Sequence, residues 1–397
     1  MQSKDTSNRE SDSTLSSQIV TTESDQAKEA PIISLEAQQT VSGLQPEISV
    51  HFVASTPSIM QPVPLVGQPL ENERSLSKWI SIWWDGIRPA YLPLSLLPVI
   101  LGSVVAWTQS ISLKTPRGDF HPFRFVITLV AVLFIQTGAQ LVNDYYDYLK
   151  GIDISNSLGP GGLIQQGLIK PERVLYIGLI ALGLGALAGA FVAIAGGWLV
   201  FVFGLIGILA AYFYSGVPKA LSSLGLGDLI FFFIFGPLLT LGSYMVQTGH
   251  LDRIAYIYSI SLGLLAAAFI HVNDMRDTAS DAQAGKLTVA SLLGLRMNRA
   301  LYVILVLGAY APIIALGLPV HAPHLLLLVL WTLPVLVVAI TTVLRTDSPA
   351  GLHVAMFQTL RLETFFTLLL IIALIVNAII PLILPLIPHL PSIALPF

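Results

Sequence analysis

The chain has 397 residues, of which 54% are hydrophobic and 11% are charged, and its formal net charge is −3. Soluble proteins carry about 25% charged residues, so this composition excludes an ordinary soluble domain and indicates an integral, multi-pass membrane protein. The chain contains no cysteine, which excludes disulfides, thiolate metal sites and a cysteine nucleophile. The net charge says nothing about a partner; we expect no nucleic acid, no protein partner is implied, and membrane lipid is the partner that the composition implies.

The first part of the chain differs in composition from the rest. Residues 1–75 are rich in Ser, Thr, Gln and Glu and have no helical apolar period, so we predict a disordered tail before a membrane domain at 76–397. The tail lacks the basic start and apolar core of a signal peptide, and it is too acidic for a typical transit peptide. We expect it to be dispensable, although a docking or regulatory role stays open.

Nine segments are apolar enough to cross a membrane, which takes about 20 residues of helix. The predicted spans are 90–108, 124–143, 174–195, 198–215, 227–247, 254–272, 300–318, 322–343 and 363–384. The predicted fold is therefore all-α, a bundle of nine transmembrane helices. Lys and Arg concentrate in the segments that a cytoplasmic N-terminus would place inside, which favours that orientation. We expect a bacterial cell membrane, with the active site facing the cytoplasm.

Two similar acidic motifs follow the second and the sixth spans, so counting crossings places both on the cytoplasmic side. The first motif begins at Asn143 and the second at Asn273. Their carboxylates are Asp144, Asp147 and Asp153 in the first motif and Asp274, Asp277 and Asp281 in the second. Carboxylates are costly near hydrocarbon, so their presence at span ends predicts a function.

The spacing of these carboxylates suits a shared ligand. Residues three, four or seven apart share one face of a helix, so each motif can direct several oxygens to one point. Gly151 is expected to end the first helix, which leaves Asp153 on the following loop. Mg²⁺ prefers oxygen ligands and often joins carboxylates to phosphate. The two motifs therefore predict Mg²⁺ ions that hold a diphosphate and stabilise it as a leaving group.

Basic and aromatic residues near the motifs are candidates for substrate contacts, and each has an ordinary structural alternative. Arg276, Lys219 and Lys286 could bind diphosphate oxygens, or they could serve as ion-pair partners and positive-inside residues. Arg88 could bind an acidic group on a second substrate or only anchor the first span. The neighbouring tyrosines, Tyr145, Tyr146, Tyr148, Tyr212 and Tyr214, could stabilise an allylic cation or form an interfacial aromatic belt. The glycine-rich loop 159–167 could be a lid or a turn.

We predict catalytic roles for Asp147, Asp277 and Arg276. The predicted substrate-binding residues are Arg88, Asn143, Tyr146, Lys150, Tyr214, Lys219, Asn273 and Lys286.

These motifs resemble the UbiA superfamily of intramembrane aromatic prenyltransferases over the chain from about Trp79 onward. The resemblance narrows to the 1,4-dihydroxy-2-naphthoate polyprenyltransferase branch. It is carried by Arg88-Pro-Ala-Tyr-Leu-Pro-Leu-Ser, Asn143-Asp-Tyr-Tyr-Asp-Tyr-Leu-Lys-Gly-Ile-Asp153, Gly159-Pro, Tyr214-Ser-Gly-Val-Pro, Gly225-Leu-Gly-Asp228 and Gly285-Lys-Leu-Thr288. Asp153 stands ten positions after Asn143, a spacing that resembles this branch. Asp274 departs from it, because the branch often has Asn there.

The resemblance implies nine helices and a Mg²⁺-dependent transfer of a polyprenyl group from its diphosphate to an electron-rich ring. In this branch the new bond forms where the ring carboxylate was, with loss of CO₂, which gives demethylmenaquinone. It implies that Arg276 and Lys286 contact the diphosphate and that Arg88 faces the acceptor carboxylate. The implied Mg²⁺–diphosphate ligands are Asn143, Asp144, Asp147, Asp153, Asp277 and Asp281.

Two alternatives stay open at this point. One is a relative that acts on another acceptor, such as homogentisate, 4-hydroxybenzoate or a lipid-like alcohol. The other is an ion-coupled transporter, which is disfavoured because transport carboxylates usually lie near the bilayer midplane.

Overall fold

The structure is a computed structural model that describes residues 75–113, 120–151, 163–164, 166–216, 220–319 and 323–383. The predicted tail lies outside the described residues apart from its last position, and so do Asp153, Lys219 and positions 159–162 and 165 of the glycine-rich loop. Within the described part, the only β-type pairing is an isolated bridge between Leu224 and Leu287. The predicted all-α class is confirmed.

The described residues form twelve α-helices. They are α1 (Leu76–Ile87), α2 (Leu92–Leu113), α3 (Pro122–Leu149), α4 (Pro171–Gly196), α5 (Trp198–Phe213), α6 (Gly227–Phe233), α7 (Leu239–Thr248), α8 (Arg253–Gln283), α9 (Val289–Gly308), α10 (Ala311–Gly317), α11 (Leu333–Arg345) and α12 (Pro349–Ile383). A π-helical segment, Ile234–Leu238, joins α6 to α7, and a 3₁₀ segment, His324–Thr332, leads into α11.

The bundle agrees with the predicted number of spans and differs at their boundaries. Eight helical stretches in the described part are long and apolar enough to cross a membrane, and the shorter apolar α5, with 16 residues, accounts for the ninth prediction. The last span begins at Pro349 rather than at 363. The predicted span starts at Glu363, just after Arg361, whereas the helix also includes the preceding turns that contain His353 and Arg361.

Proline causes a local change of helix type in the fifth predicted span. Pro237 lies within the π-helical segment, which accommodates the missing backbone donor. Beside it, a Cβ on Gly236 would lie 2.6 Å from the Cα of Gly263. Only small residues permit such a close approach of two helix backbones in a membrane. The wall formed by α6 and α7 is thereby packed tightly against α8.

Helix α8 lies at the centre of the bundle, and 18 of its 31 residues are buried. The main core, which includes Leu101, Leu265 and Phe366, surrounds it with side chains from α2, α9, α10 and α12. Helix α3 ends at Leu149, and Gly151 follows in a left-handed conformation with φ of 67°, as predicted for the end of this helix. The two acidic motifs therefore occupy the C-terminal ends of α3 and α8.

Candidate active site

A cavity of about 320 Å³ opens between α2, α3, α5, α6, α7 and α8. Its polar end contains residues of both motifs, including Asp147 from α3 and Asp277 from α8. Its deeper wall is mainly apolar and includes Ile135, Phe203 and Leu238, with a few polar side chains such as Thr128 and Ser243. The cavity thus joins a charged mouth to a hydrocarbon-like interior.

The first motif is tied to the turn that follows α5. The Asn143 amide donates to the Ser215 hydroxyl at 2.5 Å, and the Lys150 ammonium donates to the Ser215 carbonyl at 2.7 Å. The Tyr146 hydroxyl is hydrogen bonded to the hydroxyl of Tyr212 at 2.8 Å. These contacts fix the direction of the α3 side chains at the cavity mouth.

Asp144 faces the protein rather than the cavity. Its carboxylate forms a salt bridge with Arg88, and the residue is only 3% exposed. Arg88 ends α1 in a left-handed conformation with φ of 51°, the only positive φ outside glycine among the described residues. A non-glycine residue in that region is strained, and such strain concentrates at functional sites. Arg88 also lines the cavity, so one side chain contacts both a motif carboxylate and the substrate space.

The second motif is organised around Arg276, which is 4% exposed. Its guanidinium donates to both oxygens of Asp277, at 2.7 and 2.5 Å, and to the amide oxygen of Asn273 at 2.9 Å. Its remaining terminal nitrogen faces His353 and Met356 of α12. Arg276 is therefore enclosed by hydrogen-bond partners, some of them on a distant helix.

Lys286 lies in the turn between α8 and α9, where Gly285 has a φ of 66°. Its Nζ is 3.1 Å from the nearer Asp281 oxygen and 3.9 Å from Asp274. The same turn contacts the segment before α6, because the Gly225 amide donates to the Leu287 carbonyl at 2.9 Å. This contact brings together two of the motifs that carried the family resemblance.

The clustered charges change the acidity of the groups around the mouth. Burial lowers the pKa of Lys286, but the Asp274 and Asp281 carboxylates outweigh it and raise that pKa above the ordinary lysine value. Asp147 of the first motif acts in the same direction, which shows that the two motifs converge. Burial raises the pKa of the Tyr214 hydroxyl well above its usual range, and the nearby carboxylates raise it further. That phenol therefore stays a hydrogen-bond donor.

The structure brings most of the predicted site residues to one cavity. Those that line it are Arg88, Asn143, Asp147, Tyr214, Asn273, Arg276, Asp277, Asp281 and Lys286. Tyr146, Asp144 and Asp274 are buried and do not line the cavity, and neither does the exposed Lys150, whose pKa partial burial lowers below the ordinary value. Asp153 and Lys219 lie outside the described residues.

Several residues of the site were missed by the sequence analysis. His353 and Met356 contact Arg276 from α12, and Ser215 holds Asn143. The His271 ring bonds the Asp228 carboxylate at 2.8 Å one turn before the second motif. Of these, Ser215 and Asp228 belong to motifs quoted for the resemblance, although neither had been named as a site residue. The others lie on helices whose approach no local pattern indicates.

The donor chemistry of the mouth fits Mg²⁺. Asp147, Asp277 and Asp281 present hard carboxylate oxygens to the cavity, with amide oxygens beside them. Among the described residues no three acidic or histidine side chains come close enough to form a complete metal cage. Mg²⁺ is usually bound by one or two carboxylates together with water and substrate phosphate. The open arrangement of oxygens therefore agrees with an ion that is shared with a diphosphate.

Comparison with known proteins decides the family. The model of the UbiA prenyltransferase family matches residues 95–367, well over half of the chain. The chain belongs to the UbiA prenyltransferase family. It is therefore a prenyltransferase of this family and an integral, multi-pass membrane protein, which confirms the resemblance seen in its motifs.

Relatives of this UbiA family member include bacterial and animal proteins. It is 29% identical over 311 residues to the 1,4-dihydroxy-2-naphthoate octaprenyltransferase of Bacillus subtilis, which covers 78% of this chain and 96% of that protein. It is 32% identical over 298 residues to the UbiA prenyltransferase domain-containing protein 1 homolog of Drosophila melanogaster, which covers 72% of this chain and 77% of that protein.

A solved structure agrees with the UbiA fold. The apo structure of a UbiA homolog from Aeropyrum pernix K1 superposes with a TM-score of 0.55 at 15% sequence identity. The match covers 71% of this chain and 97% of that one. The bundle is thus the fold of the family, although so low an identity carries no information on the substrate.

Proposed function

We propose that this protein transfers a polyprenyl group from polyprenyl diphosphate to 1,4-dihydroxy-2-naphthoate. Diphosphate and CO₂ are released, and the product is demethylmenaquinone in its hydroquinone form, a step of menaquinone biosynthesis. The motif resemblance and the bacterial relatives named for this reaction support the choice of acceptor. A UbiA-type enzyme that acts on homogentisate or 4-hydroxybenzoate is the second candidate.

One observation carries the proposal: a single cavity has a charged mouth and an apolar interior. Lys286 and the carboxylates of both motifs surround the mouth, whereas the depth is formed mainly by aliphatic and aromatic side chains. A polyprenyl diphosphate has the same division, with an anionic head and a long hydrocarbon tail. Carboxylates at the mouth alone would repel that head, so the arrangement requires cations between them.

The residues at the mouth bind and orient the diphosphate. Lys286 supplies an ammonium that can donate to phosphate oxygens. Tyr214 adds a permanently neutral hydroxyl, because its pKa is raised by burial and by the carboxylates around it. Mg²⁺, held by Asp147, Asp277 and Asp281, would stabilise the charge that develops on the departing diphosphate.

The wall below the mouth suits an allylic cation. Tyr214, Phe231 and Phe235 form a continuous aromatic group, with ring centroids 5.6 and 4.8 Å apart, and all three line the cavity. The faces of aromatic rings attract cations. An apolar enclosure also keeps water from the cation, so the acceptor ring is the nucleophile that reaches it.

Arg88 is the residue we assign to the acceptor. It lines the cavity while it pairs with Asp144, so its guanidinium is held at the mouth with a fixed orientation. A planar guanidinium matches the geometry of a carboxylate. Tyr91, which also lines the cavity, packs edge-on against Phe269 at 5.6 Å and offers an aromatic surface beside Arg88.

The proposal is tested with the full chain in membranes. Radiolabelled polyprenyl diphosphate and Mg²⁺ are supplied with 1,4-dihydroxy-2-naphthoate, homogentisate or 4-hydroxybenzoate in separate reactions. Lipid-soluble product from the naphthoate alone, lost on addition of EDTA, is the expected result. Product from another acceptor would support prenyl transfer but refute 1,4-dihydroxy-2-naphthoate as the acceptor. No product from any of the three would overturn all of these acceptors and leave a UbiA-type transfer to an acceptor of another class.

A further inference from the structure

The last helix of the bundle contacts the second acidic motif. We propose that His353 of α12 is a positioning residue of that motif and acts through the guanidinium of Arg276. The inference rests on the proposed Mg²⁺–diphosphate site, and it deepens that site by assigning a role to a residue outside the cavity. His353 does not line the cavity, whereas Arg276, Asp277 and Asn273 all do.

The guanidinium donors of Arg276 all face protein groups. An arginine side chain has five N–H donors and no acceptor. Nε and one terminal nitrogen of Arg276 donate to the two Asp277 oxygens, and that terminal nitrogen also donates to Asn273. The other terminal nitrogen lies 3.1 Å from Nδ1 of His353 and 3.4 Å from the Met356 sulfur. Every nitrogen of the group is engaged with protein.

This arrangement changes the role of Arg276. A guanidinium whose nitrogens are all occupied can reach a diphosphate only by giving up one of its present partners. Its two bonds to Asp277 and its bond to Asn273 instead fix the side chains that face the cavity. Arg276 therefore holds the oxygen ligands in place, and α12 holds Arg276.

His353 is the acceptor in its contact with Arg276. A guanidinium can only donate, so Nδ1 of His353 must accept, and the ring proton then lies on Nε2. The Phe357 ring packs edge-on against the imidazole with a centroid distance of 5.1 Å, which restrains the plane of the ring. The acceptor atom is thereby held toward Arg276.

The contact has a clear consequence for binding. If His353 loses its acceptor, a buried guanidinium donor is left without its nitrogen partner, and the group can turn toward other acceptors. The Asp277 and Asn273 side chains would turn with it. Partners that orient metal ligands typically change metal affinity by about 10–100-fold when they are removed.

The test compares two substitutions in the full-length protein. His353→Leu removes the acceptor, whereas His353→Asn keeps an oxygen close to the former position of Nδ1. His324→Leu is the control, because that histidine bonds the carbonyl of Gly317, the last residue of α10, instead of Arg276. Mn²⁺ affinity is measured by electron paramagnetic resonance with geranyl thiolodiphosphate present, and thermal unfolding is recorded alongside.

We expect His353→Leu to weaken Mn²⁺ binding at least about tenfold, while His353→Asn and His324→Leu stay within about twofold of wild type. The apparent KM for the prenyl diphosphate should rise in His353→Leu, with the KM for the acceptor unchanged. Unaltered Mn²⁺ affinity in His353→Leu would overturn the proposal, as would equal losses in the Leu and Asn variants. If His353→Leu does not fold, His353→Gln replaces it. The glutamine amide oxygen extends toward the former position of Nε2, so it should not restore Mn²⁺ binding.

The assay separates this inference from the proposed function. Binding of Mn²⁺ and a diphosphate analogue requires no acceptor, so a wrong acceptor assignment would leave the comparison intact. Wild-type protein that binds Mn²⁺ but does not prenylate the naphthoate would refute only the substrate. Wild-type protein that binds no Mn²⁺ would overturn both the metal site and the role of His353.

Discussion

The Asn143 side-chain amide donates a 2.5 Å hydrogen bond to the Ser215 hydroxyl, which joins the first acidic motif to the turn after α5. Lys150 donates to the backbone carbonyl of the same serine at 2.7 Å. Ser215 itself is only 2% exposed. Both ends of the α3 motif thus depend on one residue outside it.

Ser215→Ala should therefore impair diphosphate binding without changing the fold. A hydrogen bond of this kind contributes about 1 kcal/mol, which corresponds to about a fivefold rise in the KM for polyprenyl diphosphate. Ser261→Ala is the matched control, because that buried hydroxyl has no hydrogen-bond partner among the described residues. Equal KM values for both variants would contradict a role for Ser215.

Asp147→Asn and Asp277→Asn should each remove activity and leave the bundle folded. Both carboxylates line the cavity, and an amide of the same shape provides a weaker ligand with one oxygen fewer. We expect kcat/KM to fall by about a hundredfold or more, measured as initial rates over a Mg²⁺ titration. A fully active Asp147→Asn variant with wild-type thermal unfolding would disprove the metal assignment.

Lys286 should keep its charge through the alkaline range. Its raised pKa means that the stabilisation from its ion pairs is complete below about pH 10.4, the ordinary value for lysine, and is lost only as the pH rises through the raised value. The KM for the diphosphate should therefore show no titration of Lys286 between about pH 7 and 10.

Lys286→Met should weaken binding of the diphosphate by about 2 kcal/mol and so raise that KM. Lys170 is an exposed lysine at the start of α4, and Lys170→Met should have little effect. A marked rise in the wild-type KM below pH 10 would argue against the raised pKa.

Arg88→Met should destabilise the protein by about 3 kcal/mol, because it removes the salt-bridge partner of the buried Asp144 carboxylate. Asp144→Asn in the same chain should restore most of that stability. Thermal unfolding of the two single variants and the double variant forms a thermodynamic cycle. Strictly additive losses would show that the two side chains are not coupled.

The absence of cysteine permits a direct test of orientation. Lys170→Cys and His250→Cys place single thiols at opposite ends of the bundle, both at exposed positions. If the active site faces the cytoplasm, a membrane-impermeant maleimide applied to intact cells should label only His250→Cys. Labelling of Lys170→Cys alone would reverse the proposed orientation.

The convergence of the two motifs was predictable because it follows from counting apolar segments between Asp147 and Asp277. The end of α3 was predictable from Gly151. By contrast, the contact of Arg276 with His353 joins positions 77 residues apart, and the pairing of Arg88 with Asp144 joins positions 56 apart. Such contacts depend on which helices become neighbours, and no local periodicity encodes that. The early start of α12 was missed because the helix continues on its N-terminal side through a segment that contains His353 and Arg361, which a count of apolar residues leaves outside the span.

The π-helical segment at Ile234–Leu238 has a further consequence for the length of the substrate. Along α6, this segment and α7, the residues that line the cavity recur every fourth position from Ile230 through Ile234 and Leu238 to Gly242 and Val246. A regular helix of 3.6 residues per turn would rotate such a series steadily away from the cavity. A π-helical turn holds more residues than an α-helical turn, so this segment rotates the series back toward the cavity. The residues of α6 and α7 that line the cavity therefore form one continuous track. Ile230, Ile234, Leu238, Gly242 and Val246 make this track apolar, with Ser243 beside it, so several consecutive isoprene units in an extended conformation are expected to lie along it.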